Sequence, residues 1–280
     1  MIKYRGGKSR EIKAFSGFCP DSFDTYFEPF LGGGALFFRL EPERAVVSDA
    51  NARLMGFYSD VRDRFDEIRG QLDSVQKRYC ENMAGYLRLK EGSPGERAPN
   101  ANEDMYYEMR SMYNGSVPSR YLDGALYYFI NKTSYSGMIR HNSRGEYNVP
   151  FGHYPNFSAE AVTRAHSDLL KRAELRCGDY SEVFGMAGEG DFMFLDPPYD
   201  CVFRDYGNAG SAGGFGEAEH RRLARDFRRL RCKALMVIGK TPLTEELYGE
   251  FVKGEYGKSY AVNIRNRFRS GATHLIVTNY

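Results

Sequence analysis

Three stretches of the chain put chemistry-bearing residues where a ligand could reach them. The first is Asp196-Pro197-Pro198-Tyr199, which follows the apolar run Phe192-Met193-Phe194-Leu195. Proline offers no N–H, so a strand over 192–195 must stop at Asp196. That leaves one carboxylate, two stiff carbonyls and one aromatic ring at the C-terminal edge of a sheet, where open α/β folds bind ligands. Taken alone, the same four residues could do no more than end a strand. The second stretch is Leu31-Gly32-Gly33-Gly34-Ala35, between the strand-like Tyr26-Phe27-Glu28-Pro29-Phe30 and a helix start. Glycines there let a ligand approach backbone N–H groups at a helix N-terminus. An NAD-type fingerprint needs a further glycine at position 37, where the chain has Phe37. The third runs from Asn131 to Asn156. Periodicity vanishes there, and Arg, Asn, Ser, Gly and Tyr alternate. Long segments of this kind are usually functional. The mixture suits hydrogen bonding to base edges together with aromatic stacking.

Composition removes several other classes. In a chain of 280 residues, 42% hydrophobic and 27% charged residues are ordinary for a globular protein. No apolar run approaches the roughly 18–20 residues of a membrane span. Met1-Ile2-Lys3-Tyr4-Arg5 is followed by no apolar segment, so a secretory signal is not expected. The five cysteines, Cys19, Cys80, Cys177, Cys201 and Cys232, are scattered and form no C-x-x-C pair. Neither a disulfide framework nor a metal site is expected, and a reducing, cytoplasmic setting is. Gly6-Gly7-Lys8-Ser9 resembles the end of a phosphate loop, but the full G-x-x-x-x-G-K-[ST] frame is absent, which argues against a nucleotide triphosphatase. The net charge of +2 is too small to imply nucleic-acid binding by itself. Arginine clusters at Arg140 to Arg144, Arg221 to Arg231 and Arg265-Arg267-Arg269 suit phosphate and guanine contacts, or simply solvated faces.

The elements that must position these residues can be read from periodicity. Ala45-Val46-Val47-Ser48 is a second strand ending in Asp49, and an acid at that point is the usual partner of ribose hydroxyls. Asn51 is a good N-cap for a helix expected to run to about Arg78, with Leu54, Phe57, Tyr58, Val61 and Phe65 on one face. Tyr-rich helices are expected over 105–112 and 121–130, around a loop of breakers at 92–100. A helix over 158–171 precedes a strand over 173–177, which leads into Gly178-Asp179-Tyr180. A basic helix over 217–230 and a buried strand over 234–238 follow. Strands over 259–264 and 273–278 read as a closing hairpin with Arg265 to Arg269 at its tip. Strands alternating with helices predict a mostly parallel sheet, and the hairpin predicts an antiparallel edge.

In this order the motifs resemble those of the Dam-type DNA adenine-N6 methyltransferases, the alpha group of the amino-methyltransferases. Tyr4-Arg5-Gly6-Gly7-Lys8 is similar to the N-terminal cofactor motif, and Phe27 to Gly34 to the methionine-binding loop. Ser48-Asp49-Ala50-Asn51 is similar to the ribose-binding acidic motif, and Gly178-Asp179-Tyr180 to the motif holding the cofactor adenine. Asn131 to Gly152 resembles the segment that enters DNA, and Asp196 to Tyr199 the catalytic motif. The resemblance implies an α/β, Rossmann-like S-adenosylmethionine-dependent methyltransferase fold: a mostly parallel sheet, an antiparallel C-terminal hairpin and an inserted helical target-recognition lobe. It implies a catalytic domain of residues 1–60 and 158–280 and a DNA-binding insertion over 61–157.

The same resemblance implies S-adenosyl-L-methionine as cofactor, bound by Tyr4, Lys8, Glu28, Pro29, Phe30, Gly32, Gly33, Gly34, Asp49, Asp179 and Tyr180. Catalysis falls to Asp196, Pro197, Pro198 and Tyr199. Double-stranded DNA would be met by Asn131, Tyr135, Ser136, Met138, Arg140, Asn142, Asn148, Pro150 and Arg267. The expected reaction is site-specific methylation of the N6 amine of a flipped-out adenine, with no metal and no membrane. A cognate restriction endonuclease acting on the same site is an expected partner where the enzyme serves restriction. Many members that read GATC carry Asn in the middle of the step occupied here by Tyr135-Ser136-Gly137, so the resemblance does not extend to a recognition sequence. N4-cytosine methylation and a catalytically silent DNA-binding relative remain as alternatives. RNA and protein-glutamine methylation leave 131–156 without a purpose. Asp at 196, where N4-cytosine enzymes more often carry Ser, favours adenine.

Overall fold

A computed structural model describes residues 1–4, 6–92, 98–199, 215–259 and 271–280. Arg267, the other arginines of 265–269, Cys201 and the glycine-rich 200–214 lie outside them. The chain forms two compact units, one of residues 8–50 and 172–280, the other of residues 1–7 and 51–171.

The first unit holds a seven-stranded sheet. Its strands are β1 (Tyr26–Glu28), β2 (Ala45–Asp49), β3 (Ala173–Cys177), β4 (Phe192–Leu195), β5 (Lys233–Gly239), β6 (Val252–Ser259) and β7 (Gly271–Thr278). Their order is β3-β2-β1-β4-β5-β7-β6. The first five run parallel, β7 is antiparallel to β5, and β6 is antiparallel to β7. Every residue of β1, β2 and β4 is buried, because a parallel sheet covered on both faces has no solvent side to alternate with. The ring of Phe15, in α1 (Ile12–Phe15), stacks on Phe194 of β4 at 5.4 Å. The unit also carries α2 (Phe37–Leu40), α8 (Tyr180–Phe184), α9 (Glu217–Phe227) and α10 (Pro242–Tyr248). The strand order reverses between β1 and β4, the switch point at which open α/β sheets bind ligands. The glycine turn leaves β1 and the Asp196 turn leaves β4, so this topology brings both to the crevice.

The second unit is helical: α3 (Ala52–Asp63), α4 (Phe65–Gly92), α5 (Ala101–Tyr113), α6 (Asp123–Thr133) and α7 (Arg164–Lys171). Nine of the eleven residues of α6 are buried, so it is the central helix and shows no polar face. The unit includes α3 and α7, so its bounds reach past 61–157 on both sides. The abundance of tyrosine in this region has a structural cause. Hydroxyls of Tyr79, Tyr106 and Tyr128 donate to the carbonyls of Tyr154, Val149 and Ser158 at 2.5, 2.8 and 2.9 Å. Each ring fills the helical core while its hydroxyl satisfies the backbone of a segment with little ladder of its own.

Four expectations need correction. The helix expected over 158–171 begins only at Arg164. The helix expected over 51–78 is two helices, broken at Arg64, whose φ −127° and ψ 37° are not helical. Of the strand expected over 259–264 only Ser259 is among the described residues; it ends β6, which begins at Val252. Gly254, Gly257 and the charged residues of this edge strand dilute its apolar signal. Helix α10 was not expected; Thr241 caps it, accepting from Thr244 N–H, and Pro242 starts it. No helix among the described residues is long and apolar enough to cross a membrane.

Candidate functional site

Asp196 is the first residue after β4, and its carboxylate is held by the chain's N-terminal turn. Lys8 Nζ donates to Asp196 Oδ1 at 2.6 Å and to Oδ2 at 2.8 Å. The Lys8 side chain is 2% exposed, whereas 21% of the Asp196 side chain remains open to solvent, which is the face a substrate can reach. Tyr199 hydroxyl donates to Asp196 Oδ1 at 3.3 Å, and Lys8 Nζ lies 4.8 Å from the Tyr199 ring centroid. Burial pushes the Asp196 carboxyl above the usual carboxylate range; the Lys8 ammonium pulls it back, the charge of Glu11 raises it and the Tyr199 hydroxyl lowers it. The two prolines do what their chemistry dictates: with no N–H to offer, they end the ladder and leave their carbonyls at the strand tip.

The glycine turn is pinned from its neighbours. Leu31 N–H donates to Ser48 carbonyl at 2.8 Å, and Gly34 N–H to Leu31 carbonyl at 2.7 Å. Gly32 and Gly34 have φ of 47° and 62°, and a Cβ on Gly34 would stand 2.7 Å from the Phe38 ring. Only glycine takes up that backbone and that approach together. Asp49, buried at the end of β2, accepts from Gly32 N–H at 2.9 Å. Glu28 points inward: its Oε2 accepts from Tyr26 hydroxyl at 2.8 Å, and its carboxyl also receives the Phe37 N–H. Burial, reinforced by the charges of Asp196 and Asp49, pushes Glu28 up to about 8, against the lowering effect of these two hydrogen bonds.

Beyond the turn lies an aromatic group. The Phe30 ring centroid is 5.3 Å from Tyr180 and 6.0 Å from Phe215. Asp179, following β3, caps α8 by accepting from Ser181 N–H at 3.0 Å and pairs with Arg222. Burial would raise the Asp179 carboxyl, but Arg222 and Ser181 hold it below the usual range. The Arg222 guanidinium lies 4.8 Å from the Tyr180 ring, and Tyr180 hydroxyl donates to Asp226 at 2.9 Å.

In the helical unit, 131–152 is a hairpin-like excursion and not an irregular loop. Antiparallel bridges join Ser134 to Phe151 and His141 to Tyr147. Asn142 makes the tip: its Oδ1 accepts from Arg144 and Glu146 N–H, both at 3.0 Å. Arg140 Nε donates to Asn148 Oδ1 at 2.8 Å, across the base of that tip. Tyr147 N–H and carbonyl both bond the Asn114 amide, at 2.9 and 3.0 Å, and its hydroxyl donates to Met138 carbonyl at 2.8 Å. Asn131 is buried, and its amide is committed to the backbone of Lys3, at 2.8 Å to the N–H and 2.6 Å to the carbonyl. The most open aromatic ring of the segment is Tyr135, 47% exposed. Its N–H donates to Pro150 carbonyl at 2.9 Å, and Ser136 beside it is left-handed, with φ 54°.

A model of the D12 class N6 adenine-specific DNA methyltransferase family matches residues 4–260. The chain belongs to that family. Type II methyltransferase M.CviBI of Paramecium bursaria Chlorella virus NC1A is 33% identical to it, with 100% of this chain and 99% of that protein covered. Type II methyltransferase M.MjaIII of Methanocaldococcus jannaschii is 26% identical over 100% of this chain and 98% of its own length. The DNA adenine methylase of Haemophilus influenzae is 26% identical over 96% and 90%. The enzyme is thus a DNA adenine-N6 methyltransferase that uses S-adenosylmethionine, as the order of its motifs implied. This removes the N4-cytosine reading.

The residues present suit the cofactor's chemistry. Asp49 offers a carboxylate for a ribose diol, the turn at 32–34 brings bare backbone close, and Phe30, Tyr180 and Phe215 offer aromatic surface. All of them lie at or just after the C-terminal ends of parallel strands except Phe215, which precedes α9. Four contacts of the methyltransferase escaped sequence reasoning. Arg222 and Phe215 lie outside the cofactor motifs and far along the chain from Asp179 and Phe30, and Glu28, although inside a motif, gives no sign there that it turns inward to Tyr26. The Lys8–Asp196 pair spans 188 positions, and nothing local announces it. The arginines of 221–231 are partly committed already: Arg221 to Glu217 and Glu246, Arg222 to Asp179, Arg228 to Glu250.

Proposed function

We propose that the Asp196 turn is the methyl-transfer site and that the Tyr135 hairpin meets the DNA. The observation that carries this reading is the Asp196 carboxylate at the switch point, ion-paired to Lys8 and still open on one side. The N6 amine of adenine is a poor nucleophile because its lone pair is delocalised into the ring. Asp196 accepts one N6–H and the Pro197 carbonyl accepts the other, which localises the lone pair on a nitrogen of tetrahedral shape. S-adenosylmethionine, when bound, supplies a methyl group made electrophilic by the sulfonium. Asp196 is also placed to take the proton that the nitrogen sheds on gaining a fourth bond; burial raises its carboxyl range, which favours that, and the Lys8 ammonium opposes the rise. Tyr199 stacks on the adenine. Gly32, Gly33, Gly34 and Asp49 hold the cofactor, with Phe30, Tyr180 and Asp179 at its adenine end; Tyr4 and Lys8 belong to the same binding motif. Oriented acceptors and a dry site supply several kcal/mol of such a barrier.

A stacked adenine hides its N6, so the base must leave the duplex, at a cost of a few kcal/mol. Exposed Tyr135 suits the gap left behind, with Pro150 beside it, and Ser136, Met138, Arg140, Asn142 and Asn148 lie along the same hairpin toward its tip. Asn142 and Asn148 act chiefly by holding the tip, since their amides are engaged there, and Asn131 acts by holding Lys3. The type II names of two relatives support a role beside a restriction endonuclease that cuts the same site. Cytoplasmic DNA is the substrate such a pairing requires.

The test is Asp196→Ala with labelled S-adenosylmethionine and DNA free of adenine methylation. Cofactor binding and folding survive while transfer is lost; retained transfer would sink the assignment. Single-molecule sequencing of DNA from a host expressing the enzyme then reads the methylated base with its sequence context. The absence of any modified site would favour a catalytically silent DNA-binding protein.

A further inference from the structure

Tyr199 sits in a socket built by residues that no motif includes. Beneath its ring is Gly239, the last residue of β5; a Cβ there would already touch Tyr199 at 3.5 Å. The register of the sheet sets His274 of β7 directly across from Gly239 and from Tyr256 of β6. The His274 imidazole meets the Tyr199 ring at 5.1 Å and 68°, an edge-on contact, and is itself fully buried. Its far side is fixed as well. His274 Nδ1 lies 3.0 Å from Glu11 Oε2, Tyr256 hydroxyl donates to the same oxygen at 2.7 Å, and the Tyr256 ring stands at 88° to the imidazole. Nδ1 also lies 3.1 Å from the Tyr256 hydroxyl; with that hydroxyl's proton given to Glu11, a protonated Nδ1 is the tautomer that suits both oxygens. Glu11 N–H in turn donates to the Lys8 carbonyl at 2.7 Å, in the same turn whose ammonium grips Asp196. One short turn therefore reaches both the carboxylate and, through His274, the aromatic ring of the catalytic motif.

We propose that Glu11 and His274 are positioning residues for methyl transfer, fixing the Tyr199 ring beside the Asp196 carboxylate. This rests on the reading of Asp196 and Tyr199 given above. A base stacked on a ring that can tilt loses its alignment with the methyl donor, and small misplacements cost large factors in rate. The socket therefore acts on kcat more than on cofactor binding.

The test compares His274→Phe, His274→Leu and Glu11→Gln in the full-length enzyme, with methyl transfer to unmethylated DNA, KM for S-adenosylmethionine and thermal unfolding as readouts. Phe keeps a flat ring against Tyr199. His274 Nε2 has no hydrogen-bond partner among the described residues, and Glu11 Oε2 keeps the Tyr256 hydroxyl when Nδ1 is removed, so His274→Phe is expected to fold. Leu fills similar space without a flat edge. Expected are a kcat lowered roughly tenfold in His274→Leu, by a smaller factor in His274→Phe and by several-fold in Glu11→Gln, with KM for the cofactor within about twofold of the parent. Parent-like kcat in folded His274→Phe and Glu11→Gln overturns the proposal, as does an equal loss in the Phe and Leu variants. If His274→Leu does not fold, the other two variants decide. Should Asp196→Ala keep its activity, the reading of the catalytic motif falls; if Asp196→Ala is dead and the socket variants are unaffected, only the socket falls.

Discussion

At Asp196 the side chains do the holding. The carboxylate is gripped by Lys8 and Tyr199, and the strand ends by the chemistry of proline alone. At Tyr135 the backbone does the holding. The ring is 47% exposed, while its N–H bonds the Pro150 carbonyl and Ser136 beside it carries a left-handed φ of 54°. Buried charge raises the stakes of each contact at the first site; strain and exposure characterise the second. A group that must meet its reactant to within a fraction of an ångström gains from a dense, charged packing. A group that must enter a partner's structure gains from standing clear of its own.

The difference can be broken at its strongest point first. Asp196→Ala removes the acceptor and lowers transfer roughly 10²–10³-fold or more, measured with labelled cofactor, with little effect on DNA affinity. Lys8→Met takes away the group that holds the Asp196 carboxyl down. Its carboxyl range rises, so the acid limb of the kcat–pH profile moves to higher pH; an unmoved limb would separate Lys8 from the chemistry.

Glu28→Gln tests the inward-facing carboxyl. Its folded value of about 8 lies above the ordinary 4.5, so the parent holds a proton that the unfolded chain releases. The parent is penalised increasingly as pH rises from about 4.5 through 8, at about 1.4 kcal/mol per unit, and evenly above. Denaturant unfolding at pH 6 and pH 9 therefore shows Glu28→Gln gaining on the parent at the higher pH. If Glu28 also touches the cofactor, KM for S-adenosylmethionine rises in the same variant.

The exposed site predicts smaller and different effects. Tyr135→Ala raises KM for DNA by roughly tenfold, since base–aromatic contacts are worth about 1–3 kcal/mol, and leaves unfolding within about 0.5 kcal/mol of the parent. Ser136→Gly relieves a left-handed serine and gains about 0.5–1 kcal/mol of stability, read by thermal unfolding; a loss instead would mean that the Ser136 side chain anchors the turn.

The fold was legible wherever one periodicity held alone. The runs 45–48, 173–177, 192–195 and 234–238 all proved to be strands, and the two β-to-turn motifs came to the switch point as the strand order requires. Two failures have the same origin. Val252 to Ser259 is an edge strand with glycines and charges, and the helix break at Arg64 has neither proline nor glycine to announce it. In each, tertiary pairing overrode a weak local signal. The segment 131–152 was legible as special but not as ordered. Its order comes partly from bonds closed within the segment, such as those of Asn142 and Asn148, and partly from Tyr106 of α5 and Asn114 just after it, which a reading of the segment itself does not contain.

Local chemistry was enough to determine that a strand ends at Asp196, that only glycines suit the turn after β1, and that an acid closes β2. These are properties of one residue and its neighbours: a missing N–H, a missing Cβ, a charge at a chain position. Only the folded chain could decide that Lys8 faces Asp196 across 188 positions, that Glu28 turns inward to Tyr26, and that His274 and Glu11 stand behind Tyr199. Such pairings depend on which strands become neighbours and which face each side chain takes. The sheet order and its register set both, and no single stretch of sequence carries either.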